Sequence, residues 1–231
     1  MMKTIFWAGD STVQYNDITT YPQTGIGQVF HLFVKPEVRI SNHAKNGRST
    51  KSFIDESRLP AIYDQITEGD FLFIQFGHND EKKADPVRYT EPFSEFKINL
   101  GKFVSVARNK KAFPVLITPL ERRCFTDDGV LGAGEHGDYV KAMKQTANEL
   151  AVPLIDLYSM SRDELEKAGA EKSKEWYMHL PQGKYASHPE GLIDNTHLKY
   201  EGAVRYAGCI AKGLRELGGR YSELLLEEAA K

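Results

Sequence analysis

The segment Phe71-Leu72-Phe73-Ile74-Gln75-Phe76 is apolar on both of its alternating sets of positions. Successive side chains of a strand point to opposite faces, so a strand written this way must be covered on both sides. That is the signature of a parallel sheet packed between helices. Four further runs, 4–8, 38–41, 115–118 and 153–157, read as strands. Helical patterns separate them, over roughly 25–34, 52–66, 91–110 and 139–151, and two more close the chain near 200–217 and 219–230. Pro60 is expected to break the second of these in two. In the third, Phe93, Phe96, Leu100, Phe103 and Val104 share one face. Alternating strands and helices predict an α/β fold, a three-layer α/β/α sandwich around a central parallel five-stranded sheet.

The chain of 231 residues suits one domain, 1–231. Its net charge of −2 gives no basic excess of the kind that nucleic-acid binding requires. No apolar run approaches the ~20 residues of a membrane span. Met1-Met2-Lys3-Thr4 leads directly into the first strand without a signal-peptide pattern, so the expected location is cytoplasmic, or secreted if a leader had been trimmed. Cys124 and Cys209 lie far apart and form no CxxC pair.

Ligands of parallel α/β sheets bind outside the carboxyl ends of the strands. Here the first strand runs into Gly9-Asp10-Ser11, the second into a loop holding Asn46-Gly47-Arg48, the third into Gly77-His78-Asn79-Asp80, and the fourth into Pro119-Leu120-Glu121-Arg122-Arg123. A turn alone accounts for Gly, Asp and Ser together. A hydroxyl nucleophile at the same place would need an imidazole to take its proton and an acid to orient that imidazole. His197, three residues after Asp194, is the best placed of seven histidines, since one short turn could present both side chains. The pair could equally be a helix-capping Asp beside a surface His, or two metal ligands. Acyl transfer also needs donors for a developing oxyanion. Candidates are the backbone N–H of Ser11, the backbone N–H of Gly47 and the side-chain amide of Asn79. Each has an ordinary reading as a loop or Asx-turn residue, but they occur on successive strand ends.

Ser11, Gly47, Asn79 and His197 match, in order, the four marker residues of the SGNH (GDSL-like) hydrolases. The stretches AGDSTVQ, NHAKNGRSTKSF, QFGHNDEKK and DNTHL, with TPLERRCF and HGDYVKAM between them, resemble more specifically rhamnogalacturonan acetylesterases and their bacterial relatives, over about residues 4–210. The resemblance implies an α/β/α fold and a metal-free, cofactor-free Ser–His–Asp esterase that removes O-acetyl groups from pectic sugars. Ser11 would be the nucleophile, His197 the base and Asp194 the orienting acid, with Ser11, Gly47 and Asn79 as oxyanion donors. The tail Leu198-Lys199-Tyr200-Glu201 is bulkier and more charged than the resemblance would suggest, which bears on the leaving-group side of the pocket.

Other residues admit two readings. His78 could contact substrate or bond to backbone in its loop. Asp10 is expected to accept N–H bonds within the turn. His136, in a Gly-rich loop, could reach over the site. Arg122 and Arg123 could recognise a uronate carboxylate, for which guanidinium is well shaped, or could be part of a solvated face. Tyr139, Trp176 and Tyr177 could stack on sugar or lie in the core. The leading expectation is an esterase acting on an acetylated oligosaccharide. The alternatives are an SGNH lipase or thioesterase with another acyl group, an acetyl-xylan-type esterase, a silent carbohydrate-binding protein and a metallohydrolase.

Overall fold

The computed structural model describes residues 2–134 and 136–227. Five strands, β1 (Lys3–Gly9), β2 (Val38–Asn42), β3 (Phe71–Gln75), β4 (Phe113–Ile117) and β5 (Leu154–Ile155), form one sheet in the order β2-β1-β3-β4-β5. Every pairing is parallel. The expected sandwich is therefore present. β3 accounts for its sequence directly. Phe71 and Phe73 enter one core with Ile5, Trp7, Val115 and Ile117, while Leu72 and Ile74 enter the other with Phe6, Ala8 and Leu116. On the first face lie α1 (Ile26–Val29) and the long α7 (Tyr200–Leu217), as well as α6 (Leu157–Ser173). The second face is covered by α2 (Thr50–Asp55), α3 (Arg58–Tyr63), α4 (Lys97–Asn109) and α5 (Gly137–Glu149).

Several boundaries differ from the sequence reading. The break in the 52–66 helix falls at Glu56-Ser57, where Ser57 has φ +59°, and Pro60 sits in the first turn of α3. A first-turn N–H has no intrahelical acceptor, so proline costs nothing there. Phe93 is 45% exposed, in a π-helical turn (Pro92–Phe96) that precedes α4, whereas Phe96, Leu100, Phe103 and Val104 are buried. The fifth strand has only two residues, because Asp156 caps α6 by accepting from Ser159 N–H. α6 itself carries no clear apolar period and is kinked at Gly169. The closing helix, α8, spans only Gly219–Ser222; beyond it Leu225 bridges Val34, and residues 228–230 of the expected helix lie outside the described residues.

A second, antiparallel pair was not expected: β6 (Tyr177–Leu180) with β7 (Leu192–Leu198). Tyr177 pairs with Leu198 but Met178 with Asp194, so Asn195-Thr196-His197 bulge out between two paired positions. Bulges re-aim side chains, and this one carries the candidate base. Among the described residues no helix is long and apolar enough to cross a membrane.

Candidate active site

β1 and β3 are neighbours, while the chain leaves β1 toward β2 on the other side. The sheet's topological switch point therefore opens beside the carboxyl end of β1. Gly9 ends that strand because a Cβ there would lie 3.0 Å from Val13 Cγ2 and 3.1 Å from the Gln75 carbonyl. The chain then turns tightly: the Asp10 carbonyl accepts from Val13 and Gln14 N–H, each at 3.1 Å. This turn presents Ser11 at the sheet edge. Ser11 Oγ lies 2.9 Å from His197 Nε2, and His197 Nδ1 lies 2.6 Å from Asp194 Oδ2.

The proton positions follow from chemistry. Burial alone would raise the Asp194 carboxyl, but the hydrogen bond and charge of His197 and the N–H groups of His197 and Thr196 outweigh it and hold it at about 2. An ionised carboxylate only accepts, so His197 Nδ1–H donates to it. Nε2 is then left as the acceptor for the Ser11 hydroxyl, the tautomer that general-base catalysis needs. Asp194 Oδ1 accepts Thr196 N–H at 2.7 Å and His197 N–H at 3.0 Å, so one carboxylate both shapes the bulge and orients the ring. Leu198, the last residue of β7, accepts from Thr24 N–H at 2.8 Å, which ties the strand to the segment beside the Ser11 turn.

The three expected oxyanion donors border the same cavity of about 460 Å³ as Ser11 and His197. Neither the Ser11 nor the Gly47 N–H has a hydrogen-bond partner among the described residues. Gly47 has φ +76°, a conformation that side-chain-bearing residues rarely adopt. Asn79 donates one Nδ2 hydrogen to the Arg48 carbonyl at 3.1 Å, while its Oδ1 accepts from Arg88 at 3.3 Å. Those contacts fix the amide's orientation and leave the second Nδ2 hydrogen for the cavity. Asn79→Ala is expected to lower kcat by about 10²–10³-fold with little change in KM, the usual consequence of losing an oxyanion donor. Steady-state acetate release checks this, and a change confined to KM would assign Asn79 to ground-state binding instead.

The two arginines separate. Arg122 lines the cavity and donates to Glu81 Oε1 at 2.7 Å. Arg123, proposed from sequence as a substrate contact, is buried and turned away. Its Nε donates to Ser173 Oγ and one terminal nitrogen to Asn195 Oδ1, each at 3.0 Å, and the other bonds the Ala170 carbonyl. Its backbone N–H also donates to the Asn195 carbonyl at 2.8 Å. Arg123 thus braces the bulge that carries His197. Arg123→Met is expected to lose about 2–3 kcal/mol of stability, since it removes the charge-assisted hydrogen bonds to Ser173, Asn195 and Ala170 that brace the bulge. A thermal or urea melt checks this.

Asp10 accepts from Thr12 N–H and Oγ1–H at 2.9 and 2.8 Å, the local role expected of it. Its other oxygen faces His78 Nδ1 at 3.3 Å. His78 is not bonded to backbone. It is buried on the cavity wall, with His136 edge-on at 4.4 Å. Burial and the neighbouring His136 push the His78 imidazole down, against the opposing pull of Asp10. His136 packs behind His78, at 2.7 Å from Glu81 Oε2, and does not arch over the site. Tyr139, Trp176 and Tyr177 are all buried core residues. Asp80 accepts from Thr50 N–H, Thr50 Oγ1–H and Thr90 Oγ1–H, anchoring the β3 loop to the start of α2. The tail Lys199-Tyr200-Glu201 faces an adjoining groove of about 890 Å³ that meets the catalytic cavity at Gln23. Gln23 and Arg88, outside the quoted motifs, and Asn46, Lys82 and Thr196, within them but given no role, also line the cavity. Among the described residues no group of three or more His, Cys, Asp or Glu could hold a metal ion.

Fold and site together define a carboxylic ester hydrolase. Residues 8–202 match the model of the GDSL-like lipase/acylhydrolase family, and the chain belongs to that family. It is 42% identical over 229 residues to the rhamnogalacturonan acetylesterase RhgT of Bacillus subtilis, covering 98% of this chain and 96% of that protein. A second Bacillus subtilis relative, the probable rhamnogalacturonan acetylesterase YesY, is 41% identical and is covered completely by 99% of this chain. Among solved structures, protein YXIM of Bacillus subtilis superposes with TM-score 0.79 at 26% identity; the match covers 94% of this chain and 57% of that one, so the chain spans little more than half of it. The acetylxylan esterase Axe2 of Geobacillus stearothermophilus shares the fold, with TM-score 0.64 at 16% identity over 95% of each chain.

Proposed function

We propose that this protein, as a single catalytic domain, removes O-acetyl groups from pectic, rhamnogalacturonan-type oligosaccharides through an acetyl-enzyme. The observation that carries the reading is the continuous series Ser11 Oγ, His197 Nε2, His197 Nδ1, Asp194 Oδ2, with contacts of 2.9 and 2.6 Å. Ser11 Oγ attacks the acetyl carbonyl while His197 Nε2 takes its proton. The negative charge formed on the carbonyl oxygen is met by the N–H groups of Ser11 and Gly47 and by Asn79 Nδ2. Collapse expels the sugar oxygen, which receives the proton from His197 and leaves as the free hydroxyl. Water, deprotonated by the same imidazole, then attacks the acetyl-Ser11 ester, and acetate departs as Ser11 recovers its proton.

The substrate class is supported by the names of the two relatives above 40% identity and by the polar character of the cavity wall. A long acyl chain would want a broad apolar pocket, which these lining residues do not provide. Acetate release measured across acetylated pectic and xylan-derived oligosaccharides, with p-nitrophenyl acetate and butyrate as controls, tests the proposal. Preference for the pectic series and for acetate over butyrate is the expected result. Equal or greater turnover of the xylan series would move the assignment to an acetylxylan-type esterase. Chelator resistance together with labelling of Ser11 by an organophosphonate tests the serine mechanism. A cytoplasmic location belongs to the same reading, and acetate-releasing activity recovered from the culture medium would overturn that part.

A further inference from the structure

The wall of the catalytic cavity has an uneven charge. Three cationic side chains line it, Lys82, Arg88 and Arg122, and no Asp or Glu does. Two of the three are committed behind the wall. Arg88 donates to Asp85 at 2.5 Å and to Asn79, and Arg122 donates to Glu81 at 2.7 Å. Lys82 is different. Its Nζ makes no hydrogen bond or ion pair with any described residue. Partial burial and then the charges of Arg88 and Arg122 lower the ammonium's proton affinity, against smaller pulls from Glu81 and Asp10. The edge of the cavity that holds the nucleophile thus carries an exposed ammonium, unpaired among the described residues, on the same wall as two guanidiniums. A wall that carries three cations and no carboxylate attracts an anion. Lys82 and Arg122 also line a second depression, together with Glu81, Lys83, Glu91 and Asp138, where the charge is mixed; only on the side of the nucleophile is the wall purely cationic.

We infer that Lys82, flanked by Arg122, binds the carboxylate of an acidic sugar in or next to the acetylated residue, and so selects uronate-containing esters over neutral ones. The inference rests on the pectic reading above and names the residue that would enforce it. Arg88 donates to Asn79 Oδ1 and Arg122 to Glu81, so the Lys82 ammonium is the group that meets the carboxylate. A Lys–carboxylate contact of this kind forms in the ground state as well as in the transition state, and its loss is expected chiefly in KM.

The test crosses one variant with one change in the substrate. kcat/KM is measured for wild type, Lys82→Ala and Lys82→Arg on an acetylated rhamnogalacturonan oligosaccharide with free carboxylates and on the same oligosaccharide methyl-esterified, with p-nitrophenyl acetate reporting that the wild-type preparation is active. Methyl esterification is expected to lower wild-type kcat/KM by about tenfold or more, since a charge-assisted contact is lost. Lys82→Ala is expected to cost about ten- to fiftyfold on the carboxylate substrate, and several-fold less on its methyl ester, with Lys82→Arg recovering most of the difference. Equal losses on the two substrates, or a wild type indifferent to methylation, would overturn the subsite while leaving the pectic reading in place. A wild type that hydrolyses p-nitrophenyl acetate but releases no acetate from either oligosaccharide would overturn the pectic reading and the subsite with it.

Discussion

Ser11→Ala is expected to abolish nearly all turnover, by about 10⁴–10⁶-fold in kcat, while the protein melts close to the wild-type temperature. The size follows from chemistry: without Oγ no acetyl-enzyme forms, and water must be activated in a cavity shaped for another attacking atom. The survival of the fold follows from structure. The hydroxyl's hydrogen bond is to His197, and the turn is held by the backbone bonds of Asp10 to Val13 and Gln14 and by the Asp10–Thr12 contacts. The Ser11 N–H remains, so the variant keeps the proposed oxyanion donor at this position. Acetate release beside a thermal melt decides the matter; near-wild-type turnover in the folded variant would sink the serine mechanism.

Asp194→Asn is expected to cost about 10⁴-fold in kcat, the scale seen when the acid of a serine-protease triad is made an amide. The amide oxygen could keep the bonds from Thr196 and His197 N–H that shape the bulge. Its NH₂ would then face His197 Nδ1, which would have to accept. The ring would carry its proton on Nε2, directed at Ser11, and could not take the hydroxyl proton. Asp194 is depressed to about 2 from an ordinary value of 3.8, so it stays ionised down to strongly acidic pH. The same depression has a sign for stability. A carboxyl held below its unfolded value stabilises the fold above that value and loses its contribution as pH falls from near 3.8 toward 2. Wild type should accordingly be more stable than Asp194→Asn at pH 5, with the gap closing as pH approaches 2. Urea melts at the two pH values measure it. If Asp194→Asn were nearly harmless while mutation of Asp10 or Asp80 abolished activity, the acid would have been misassigned.

Local pattern was enough for the sheet and for the order of the site. FLFIQF reads as a strand buried on both faces, as in a parallel sheet covered by helices, and β3 occupies that place. The turn at Gly9 is written in adjacent residues, whereas Gly47 and Asn79 read singly as loop residues and stood out only by their order on successive strand ends and by the marker pattern they match. Asp194 and His197 were legible as a pair, but their setting was not. They lie on a bulged strand whose partner, β6, has little pattern of its own, and the bulge exists only in the register between the two. The fates of Arg122 and Arg123 lay beyond any local rule. Adjacent residues of one loop diverge because Arg123 finds Asn195, Ser173 and Ala170, up to 72 positions away, while Arg122 finds Glu81, 41 positions back. His78 and His136, 58 positions apart, become a packed pair for the same reason. Backbone conformation at a strand end is a short-range property, so a single stretch of residues determines it. The environment of a charged or aromatic side chain depends on which distant segments the fold brings against it, and only the tertiary structure decides that.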